Sequence, residues 1–236
     1  MSAQASILSD RKTALEHYQE NGFHIEYNAL TAQECDALIA AGKDLENAKN
    51  GTFRPQMMPH RSDPRFLQAL KIPKIKNIIE MLVGGTPAGL QTEFFFCKPG
   101  TRGFSMHQDN FYVEAPYGVF ASAWIALTDT YKEKGGLIVY PGTHKEGQLA
   151  TRKLSLPPDA GQDPNANNEE TIIPEKYKPI YPSVPKGAAL FIHGHLVHSS
   201  GANTTSEFRY VLLNTYIRAG EPFRPGRHAQ RAEVAL

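Results

Sequence analysis

The sequence predicts a mainly β fold with flanking helices. From about residue 90 onward, short runs rich in aromatic and aliphatic residues alternate with turn formers such as Pro99-Gly100 and Pro141-Gly142. No helical pattern separates these runs, so we expect the strands to pair with one another as a sandwich or barrel. The predicted strands span residues 91–97, 119–127, 137–140, 188–192 and 208–217.

The first third of the chain predicts helices instead. One helix is expected to end near Gly22, and residues 23–25 are expected to form a first short strand. A second helix follows the capping-box spacing of Thr31 and Glu34. Pro64 fits the first position of a third helix, because proline there gives up no helical hydrogen bond. A fourth runs from about residue 73 to residue 83, where the apolar residues share one face.

We expect one domain over residues 1–236, with a helical part at about 1–89 and a β core at about 90–220. Between residues 149 and 182 lies a segment rich in Pro, Asp, Asn, Gly and Glu with little periodicity. Segments of this length inside a compact domain are usually lids or binding loops. This one is polar at its tip and apolar towards its end, which favours a lid over a passive surface loop.

Composition argues against several classes of function. Lys and Arg number 25 and Asp and Glu 24, so the net charge of +1 does not favour nucleic acid as a partner. No apolar run approaches the ~18 residues that a membrane span needs, and the first residues lack the apolar stretch of a secretory signal. The two cysteines, Cys35 and Cys97, form no disulfide framework. We expect a cytoplasmic protein, and its oligomeric state stays open.

His107 and Asp109 are a first pair of candidate metal ligands. They follow a Lys98-Pro99-Gly100 turn, and in an extended stretch side chains two residues apart point to the same face. An imidazole and a carboxylate on one face can both bind a divalent metal ion. A His-x-Asp triplet also occurs by chance, so the pair alone does not establish a site.

Three histidines directly follow one predicted strand, namely His193, His195 and His198. They could form a hydrogen-bonded cluster, or His198 could join His107 and Asp109 in a triad of two histidines and one carboxylate. Such a triad occupies one face of a metal ion and leaves three coordination positions open. Zinc favours closely spaced His and Cys ligands, and neither cysteine lies in such a motif.

Arg209 lies in a predicted strand whose other residues are nearly all apolar or aromatic. A buried guanidinium needs an anionic partner, because burying its charge alone is very costly. The partner is either an internal Asp or Glu or the carboxylate of a bound small molecule, which arginine can hold bidentately. The position of Arg209, soon after His198, favours the bound carboxylate.

His144 follows a Pro-Gly-Thr sequence and is expected to be a turn or rim residue.

Four separated motifs together resemble the phytanoyl-CoA dioxygenase family of Fe(II)- and 2-oxoglutarate-dependent oxygenases. The motifs are His107-Gln108-Asp109, residues 136–144, the pair His198 and Ser200, and Arg209. The resemblance extends over about residues 94–218. It implies a double-stranded β-helix, also called a jelly roll, with a cupin-like core and N-terminal helices packed on one sheet.

The resemblance also implies a role for each motif residue. His107, Asp109 and His198 would bind iron. Arg209 would pair with the distal carboxylate of 2-oxoglutarate, with help from the Ser200 hydroxyl. The residues implied to line the cosubstrate pocket are Trp124, Phe104 and Lys98.

The family resemblance implies an O2-dependent reaction on a small-molecule metabolite, in which an unactivated C–H is hydroxylated and succinate and CO2 are released. Asp109 favours hydroxylation, because related halogenases replace this carboxylate by a small residue. Phe96 departs from the family pattern, since certain members carry there a polar residue that helps hold 2-oxoglutarate. The residues expected at the pocket mouth, where substrate would bind, are Gln91, Asn110, Tyr112, His193 and Arg218.

Two other classes of protein stay open. A cupin-like metal-dependent enzyme would need no keto acid, and it would leave Arg209 unexplained. A non-catalytic binding protein with the same core would not require an intact triad.

Overall fold

The computed structural model describes residues 6–154 and 169–236 of the chain. Most of the helices come before the main strands, and short 3-10 turns occur at Pro59–Arg61 and Thr143–Glu146. The α-helices are α1 (Arg11–Asn21), α2 (Ala32–Lys43), α3 (Glu46–Lys49), α4 (Pro64–Leu70), α5 (Pro73–Val83) and α6 (Asn110–Val113). None of the helices in these two ranges has the length and apolarity that crossing a membrane requires.

The predicted start and stop signals lie at helix ends. Thr31 caps α2 by accepting from the Glu34 amide, while the Glu34 carboxylate accepts from the Thr31 amide at 2.7 Å. Helix α1 ends before Gly22, whose φ of 81° lies in the left-handed region that favours glycine. Pro64 is the first residue of α4. The helices predicted in the first third of the chain are therefore confirmed.

The predicted strands are also found, with ends shifted by a few residues, as β1, β3, β4, β5, β8 and β10. The strands β2, β6, β7, β9 and β11 are short and were not predicted. All strands in the described ranges are β1 (Phe23–Glu26), β2 (Gln56–Met57), β3 (Pro87–Cys97), β4 (Phe120–Ala126), β5 (Leu137–Val139), β6 (Thr151–Lys153), β7 (Glu169–Thr171), β8 (Ala189–His193), β9 (His198–Ser200), β10 (Arg209–Arg218) and β11 (Val234–Ala235).

The strands pair antiparallel and form two layers. A seven-stranded sheet has the order β1-β8-β4-β10-β3-β11, and β2 also pairs with β3. In the second layer β5 pairs with β9, His107 bridges His198, and Val139 bridges Ile180. Strands β6 and β7 pair separately. The prediction of a mainly β fold is therefore confirmed.

The large sheet separates two apolar clusters. On one face, Phe94 and Phe96 of β3 pack with residues of α2, α4 and α5, such as Leu70 and Ile78. On the other face, Phe95 packs with residues of β4, β8 and β5. Strand side chains alternate between faces, so consecutive aromatic residues of β3 serve opposite clusters. The N-terminal helices thus cover one face of the sheet, and the second layer covers the other.

One predicted boundary differs from the structure, and the predicted lid is described only in part. Strand β3 begins at Pro87, so the expected division between helical part and β core at residue 90 falls inside a strand. In the predicted lid, β6 and β7 pair near its root, and the Thr171 amide donates to the Met106 carbonyl oxygen at 2.8 Å. The tip, residues 155–168, lies outside the described residues. The lid and the single domain therefore stay predictions.

Candidate active site

The two predicted histidine ligands are set side by side by backbone pairing. Residues 104–107 run along β9, where His107 and His198 exchange two backbone hydrogen bonds of 2.9 and 3.0 Å. Gly103 permits this approach, because a Cβ there would lie 1.7 Å from the Ser200 carbonyl oxygen. As a result, the centroids of the two imidazole rings are 4.3 Å apart.

Asp109 reaches the histidines by a turn rather than along a strand. Its φ of −58° and ψ of −35° are helical, and it directly precedes α6. The turn is anchored by the side chain of Gln108, whose Nε2 donates to the carbonyl oxygens of His195 at 2.6 Å and Gly147 at 2.8 Å. The expectation that strand alternation places the carboxylate is therefore wrong, because the chain has left the extended conformation at this point.

Each histidine is oriented by a hydrogen bond of Nδ1, the ring nitrogen that does not face Asp109. Nδ1 of His107 lies 2.7 Å from the Ser105 carbonyl oxygen, and Nδ1 of His198 lies 3.1 Å from the Leu196 carbonyl oxygen. A carbonyl oxygen only accepts, so Nδ1 carries the proton and Nε2 keeps a lone pair for a metal ion. Burial and the neighbouring His198 lower the pKa of His107, which favours the neutral ring.

The Asp109 carboxylate faces both imidazoles with one oxygen. Its Oδ1 lies 3.6 Å from Nε2 of His107 and 3.6 Å from Nε2 of His198, and one donor atom from each residue lies within 4.8 Å of the others. Oδ2 accepts a 2.6 Å hydrogen bond from the Ser122 hydroxyl of β4. Two neutral imidazoles and one carboxylate can hold a divalent metal ion. In the described part of the chain, no other cluster of His, Cys, Asp or Glu meets this description.

Arg209 begins β10 and is almost fully buried, with 3% of its surface exposed. Its Nη2 donates to Cys97 Sγ, while Nε and Nη1 have no hydrogen-bond partner among the described residues. The guanidinium carbon lies 5.7 Å from the centroid of the Trp124 ring. The internal acid considered from the sequence is thus not found in residues 6–154 and 169–236. The guanidinium can pair with a bound anion.

One cavity of about 720 Å³ joins these groups, since the three candidate ligands and Arg209 all line it. Ser200 lines it as well, and its Oγ accepts from the Phe104 amide at 2.9 Å, which leaves the hydroxyl proton to donate. Trp124 and Phe104 form part of an apolar wall. Cavities of this size and character bind small molecules.

Two expectations about the cosubstrate pocket are corrected by the structure. Lys98 is exposed in the turn that follows β3, where the chain leaves the sheet, and it does not line the cavity. Phe96 packs on the helical side of the large sheet. Strand alternation instead places Phe95 on the cavity wall, so the departure at Phe96 does not affect that wall.

Two of the residues expected at the pocket mouth lie in the cavity wall, namely Gln91 and Tyr112. The Gln91 amide donates to Glu93 Oε2 at 3.4 Å and accepts from Arg231 Nε at 2.9 Å. Burial, with the charge of Asp109, raises the pKa of Tyr112 to about 12, so its phenol stays protonated near neutral pH.

The other three lie outside the cavity wall. Asn110 is buried and exchanges hydrogen bonds with the backbone of the loop after α6. His193 packs in a cluster of aromatic rings, 5.0 Å from the ring of His144, and burial lowers the pKa of His193 to about 3. Arg218 forms an ion pair with Glu221. His144 itself lies in a 3-10 turn, which confirms its prediction as a turn residue.

Sequence reasoning missed two parts of the site. Ser122, which orients the Asp109 carboxylate, is the one hydroxyl in the otherwise apolar strand β4, and that exception was an available signal. The C-terminal residues 224–231 contribute several side chains to the cavity wall, among them Arg231. No periodicity or motif in the sequence indicates that this segment returns to the site.

Fold and site together define a class of protein. It is a two-layer antiparallel β protein with a facial triad of two histidines and one carboxylate, the ligand set of non-haem Fe(II) oxygenases. The chain belongs to the phytanoyl-CoA dioxygenase family, whose model matches residues 18–211. This match confirms the resemblance carried by the sequence motifs.

Curated relatives agree with this membership. The chain is 34% identical over 154 residues to phytanoyl-CoA dioxygenase domain-containing protein 1 of Danio rerio, in an alignment that covers 64% of this chain and 52% of the relative. It is 29% identical over 175 residues to the Mus musculus protein of the same name, covering 72% and 59%. The chain thus spans little more than half the length of these relatives.

Solved structures share the fold. The epimerase SnoN, in complex with Fe3+, alpha ketoglutarate and nogalamycin RO, superposes with a TM-score of 0.75 at 20% identity, covering 95% of this chain and 94% of SnoN. The carbocyclase SnoK from nogalamycin biosynthesis superposes with a TM-score of 0.75 at 20% identity, covering 96% and 91%. At this identity the likeness concerns the fold alone.

Proposed function

We propose that the protein is an Fe(II)- and 2-oxoglutarate-dependent oxygenase that hydroxylates an unactivated C–H of a small-molecule metabolite. One observation carries the proposal. The facial triad and a buried guanidinium that lacks a carboxylate partner among the described residues line the same cavity. We further propose that the two antiparallel layers are the sheets of a jelly roll, with the triad between them.

The donor set fits Fe(II). His107 and His198 present Nε2 lone pairs, because each Nδ1 proton is held by a backbone carbonyl oxygen. Asp109 presents Oδ1, because Ser122 engages Oδ2. These are the three protein ligands of a non-haem iron site, and they leave coordination positions for other ligands.

The neighbouring groups fit 2-oxoglutarate. The Arg209 guanidinium keeps N–H donors without a partner among the described residues, and these can pair with the distal carboxylate; the Ser200 hydroxyl can donate to the same group. When bound, iron and 2-oxoglutarate supply the activation of O2, coupled to decarboxylation of the keto acid to succinate and CO2. SnoN in complex with Fe3+ and alpha ketoglutarate supports the assignment by analogy.

The chain itself supplies orientation and a dry environment. Cation–π contact with Trp124 and burial beside Cys97 hold the Arg209 guanidinium in place. Phe95 and Phe104 pack edge to face, with ring centroids 5.6 Å apart, and form part of the apolar wall of the cavity. Exclusion of water strengthens the pairing of the guanidinium with a carboxylate and limits side reactions.

Hydroxylation is the outcome that we propose among several. The fold neighbours include an epimerase and a carbocyclase, so the shared fold accommodates other oxidations. The mass of the product separates them, since hydroxylation adds one oxygen atom, ring closure removes two hydrogen atoms and epimerisation leaves the mass unchanged.

Anaerobic titration of the protein with Fe(II) and then 2-oxoglutarate tests the proposal. The expected result is the weak visible charge-transfer band of the iron chelate, and a metabolite screen for succinate release then seeks the substrate. Binding of metal without the band would favour the cupin-like alternative that uses no keto acid. Absence of metal binding would favour a non-catalytic binding protein. Either outcome rejects the proposal.

A further inference from the structure

The C-terminal segment, residues 224–231, forms a fixed outer wall of the cavity. The Arg224 amide donates to the Val113 carbonyl oxygen at 2.6 Å. The Arg61 guanidinium donates to the carbonyl oxygens of Ala229 at 2.9 Å and Gln230 at 2.7 Å. Beyond the segment, β11 pairs with β3. These contacts hold the segment at both ends, so its side chains reach the cavity in fixed positions.

Arg231 of this segment is a partly buried cation with only neutral acceptors. Its Nε donates to Gln91 Oε1 at 2.9 Å, and its Nη1 donates to the carbonyl oxygens of Tyr112 at 3.2 Å and Pro225 at 3.4 Å. Nη2 has no acceptor among the described residues, and no carboxylate in residues 6–154 and 169–236 forms an ion pair with Arg231. Burial accordingly lowers its pKa.

Two other arginines in this part of the chain each form an ion pair with a nearby glutamate. Arg224 forms an ion pair with Glu114 at 2.7 Å, and Arg218 pairs with Glu221. The charges of Asp109 and, more weakly, Glu93 raise the pKa of Arg231, but neither carboxylate forms an ion pair with it, and the Gln91 side-chain amide bonds to both Glu93 and Arg231. The positive charge that lines the cavity is therefore not neutralised by direct contact.

Arg231 and Arg209 lie at different ends of the cavity. Both bond to residues of β3, Arg209 to Cys97 and Arg231 to Gln91. These two positions are about 20 Å apart along the strand at about 3.3 Å per residue. The β3 side chains between these positions that line the cavity are Glu93 and Phe95, and Leu213 of β10, which pairs with Glu93, lines it as well. The cavity is therefore lined by one arginine beside the proposed cosubstrate position and by three arginines of the C-terminal segment, Arg224, Arg227 and Arg231. Of these three, Arg224 has an acidic partner, and Arg231 is the one that is hydrogen-bonded to β3.

We propose that Arg231 binds an anionic group of the substrate, a carboxylate or a phosphate, so that the substrate is an acid with an apolar body. The inference rests on the proposed function, because it assumes that 2-oxoglutarate occupies Arg209. A carboxylate or phosphate would accept from Nη2 and provide the anionic partner that the partly buried charge lacks among the described residues. The fixed segment presents the guanidinium without further ordering, which favours binding.

Calorimetry on the anaerobic complex with Fe(II) and excess 2-oxoglutarate tests this inference. The probes are hexanoate, hexyl phosphate and hexanamide, which share one chain and differ in the head group. At least one of the two acids should bind about tenfold or more tightly than the neutral amide, as expected for a hydrogen bond to a charged group. The acid that binds more tightly identifies the head group. The visible chelate band, followed throughout, shows that the probes do not displace 2-oxoglutarate.

Variants assign the preference to one residue. Arg231→Gln should bring the acids within about threefold of the amide, and Arg231→Lys should keep an intermediate preference because it retains charge without the planar fork. Arg218→Gln, which removes an equal charge outside the cavity, should behave as wild type. If Arg231→Gln does not fold, as judged by circular dichroism, the Lys variant and the wild-type comparison still decide.

The outcomes separate this inference from the proposed function. A chelate band with no acid preference in the wild type, or with a preference that survives in Arg231→Gln, overturns the role of Arg231 and leaves the oxygenase proposal standing. Failure of both acids to bind overturns it as well. Absence of the chelate band in the wild type instead rejects the oxygenase proposal.

Discussion

Replacing Arg209 with methionine isolates the contribution of one buried charge. Methionine keeps a long unbranched side chain in the space beside Trp124 but removes the guanidinium. In the protein without cosubstrate, the substitution removes the hydrogen bond to Cys97 and the cation–π interaction with Trp124. It breaks no hydrogen bond of Nε or Nη1, because neither atom has a partner among the described residues. The substitution therefore acts mainly on the complex with 2-oxoglutarate.

The magnitude follows from the burial of Arg209. Truncating one partner of a buried, hydrogen-bonded charge pair costs about 2–5 kcal/mol. At 1.4 kcal/mol per factor of ten, this corresponds to roughly 30- to 4000-fold weaker binding of 2-oxoglutarate. Arg209→Lys should restore only part of the affinity, since an ammonium lacks the planar fork.

The same substitution that weakens 2-oxoglutarate binding should not lower the free energy of unfolding of the cosubstrate-free protein. A buried guanidinium without an anionic partner is unfavourable, so the cosubstrate-free Arg209→Met protein should be at least as stable as the wild type. Added 2-oxoglutarate should raise the melting temperature of the wild type and leave that of the variant nearly unchanged. A stabilising internal ion pair would give the reverse, a clear loss of stability in the variant.

Two measurements decide the matter. Anaerobic titration of the iron-loaded proteins gives the affinity from the chelate band, and urea unfolding without cosubstrate gives the stability. Arg218→Met is the matched control, because Arg218 lies outside the cavity and pairs with Glu221. An affinity within about threefold of the wild type would refute the assignment of Arg209.

Three further predictions concern the same site and its surroundings. Iron content, measured on purified protein, should fall sharply in His198→Ala and Asp109→Ala while the circular dichroism spectrum stays native; unchanged iron in both variants would reject the ligand assignment. Ser122→Ala should weaken metal binding by about 10- to 100-fold, because Asp109 loses its orienting hydrogen bond, and Ser122→Thr should retain most of the affinity; equal affinities for all three proteins would show that the carboxylate needs no such support. Stability should fall as pH decreases from about 6.5, because burial lowers the pKa of folded His193 to about 3 and the unfolded chain takes up the proton first. Urea unfolding of His193→Gln should then show a pH slope shallower by up to about 1.4 kcal/mol per pH unit, and a slope equal to that of the wild type would contradict the assignment.

Much of the fold was predictable because its signals are local. Thr31 and Glu34 are three residues apart and form their capping box within a single helical turn. Pro64 and Gly22 act through their own backbone preferences at the beginning and end of helices. The strands were recognisable by runs of apolar residues between turn formers. Such features need no knowledge of the rest of the chain.

The candidate ligands were predictable as a set, although the local reasoning for one of them was wrong. His107 and His198 lie far apart in sequence. Residue chemistry alone offered their triad as one of two alternatives, and the family pattern favoured it. Strand alternation did not apply to Asp109, because a turn anchored by Gln108 interrupts the strand. Strand alternation also determines which side chains line the cavity, where Phe95 faces inward and Phe96 does not. Which of the two faces inward depends on the layers that pack on each side of the strand.

The sequence by itself determined the helices, the main strands, the family and the residue types of a facial triad, since each depends on spacing or on a shared motif. Only the tertiary structure decided that Arg209 has no acid beside it in the described ranges, that Ser122 orients Asp109, and that Arg231 returns to the cavity. Some of these relations join residues that lie more than a hundred positions apart in the sequence. Whether a buried charge is compensated depends on which groups lie within a few ångströms of it, and packing of the whole chain sets those distances.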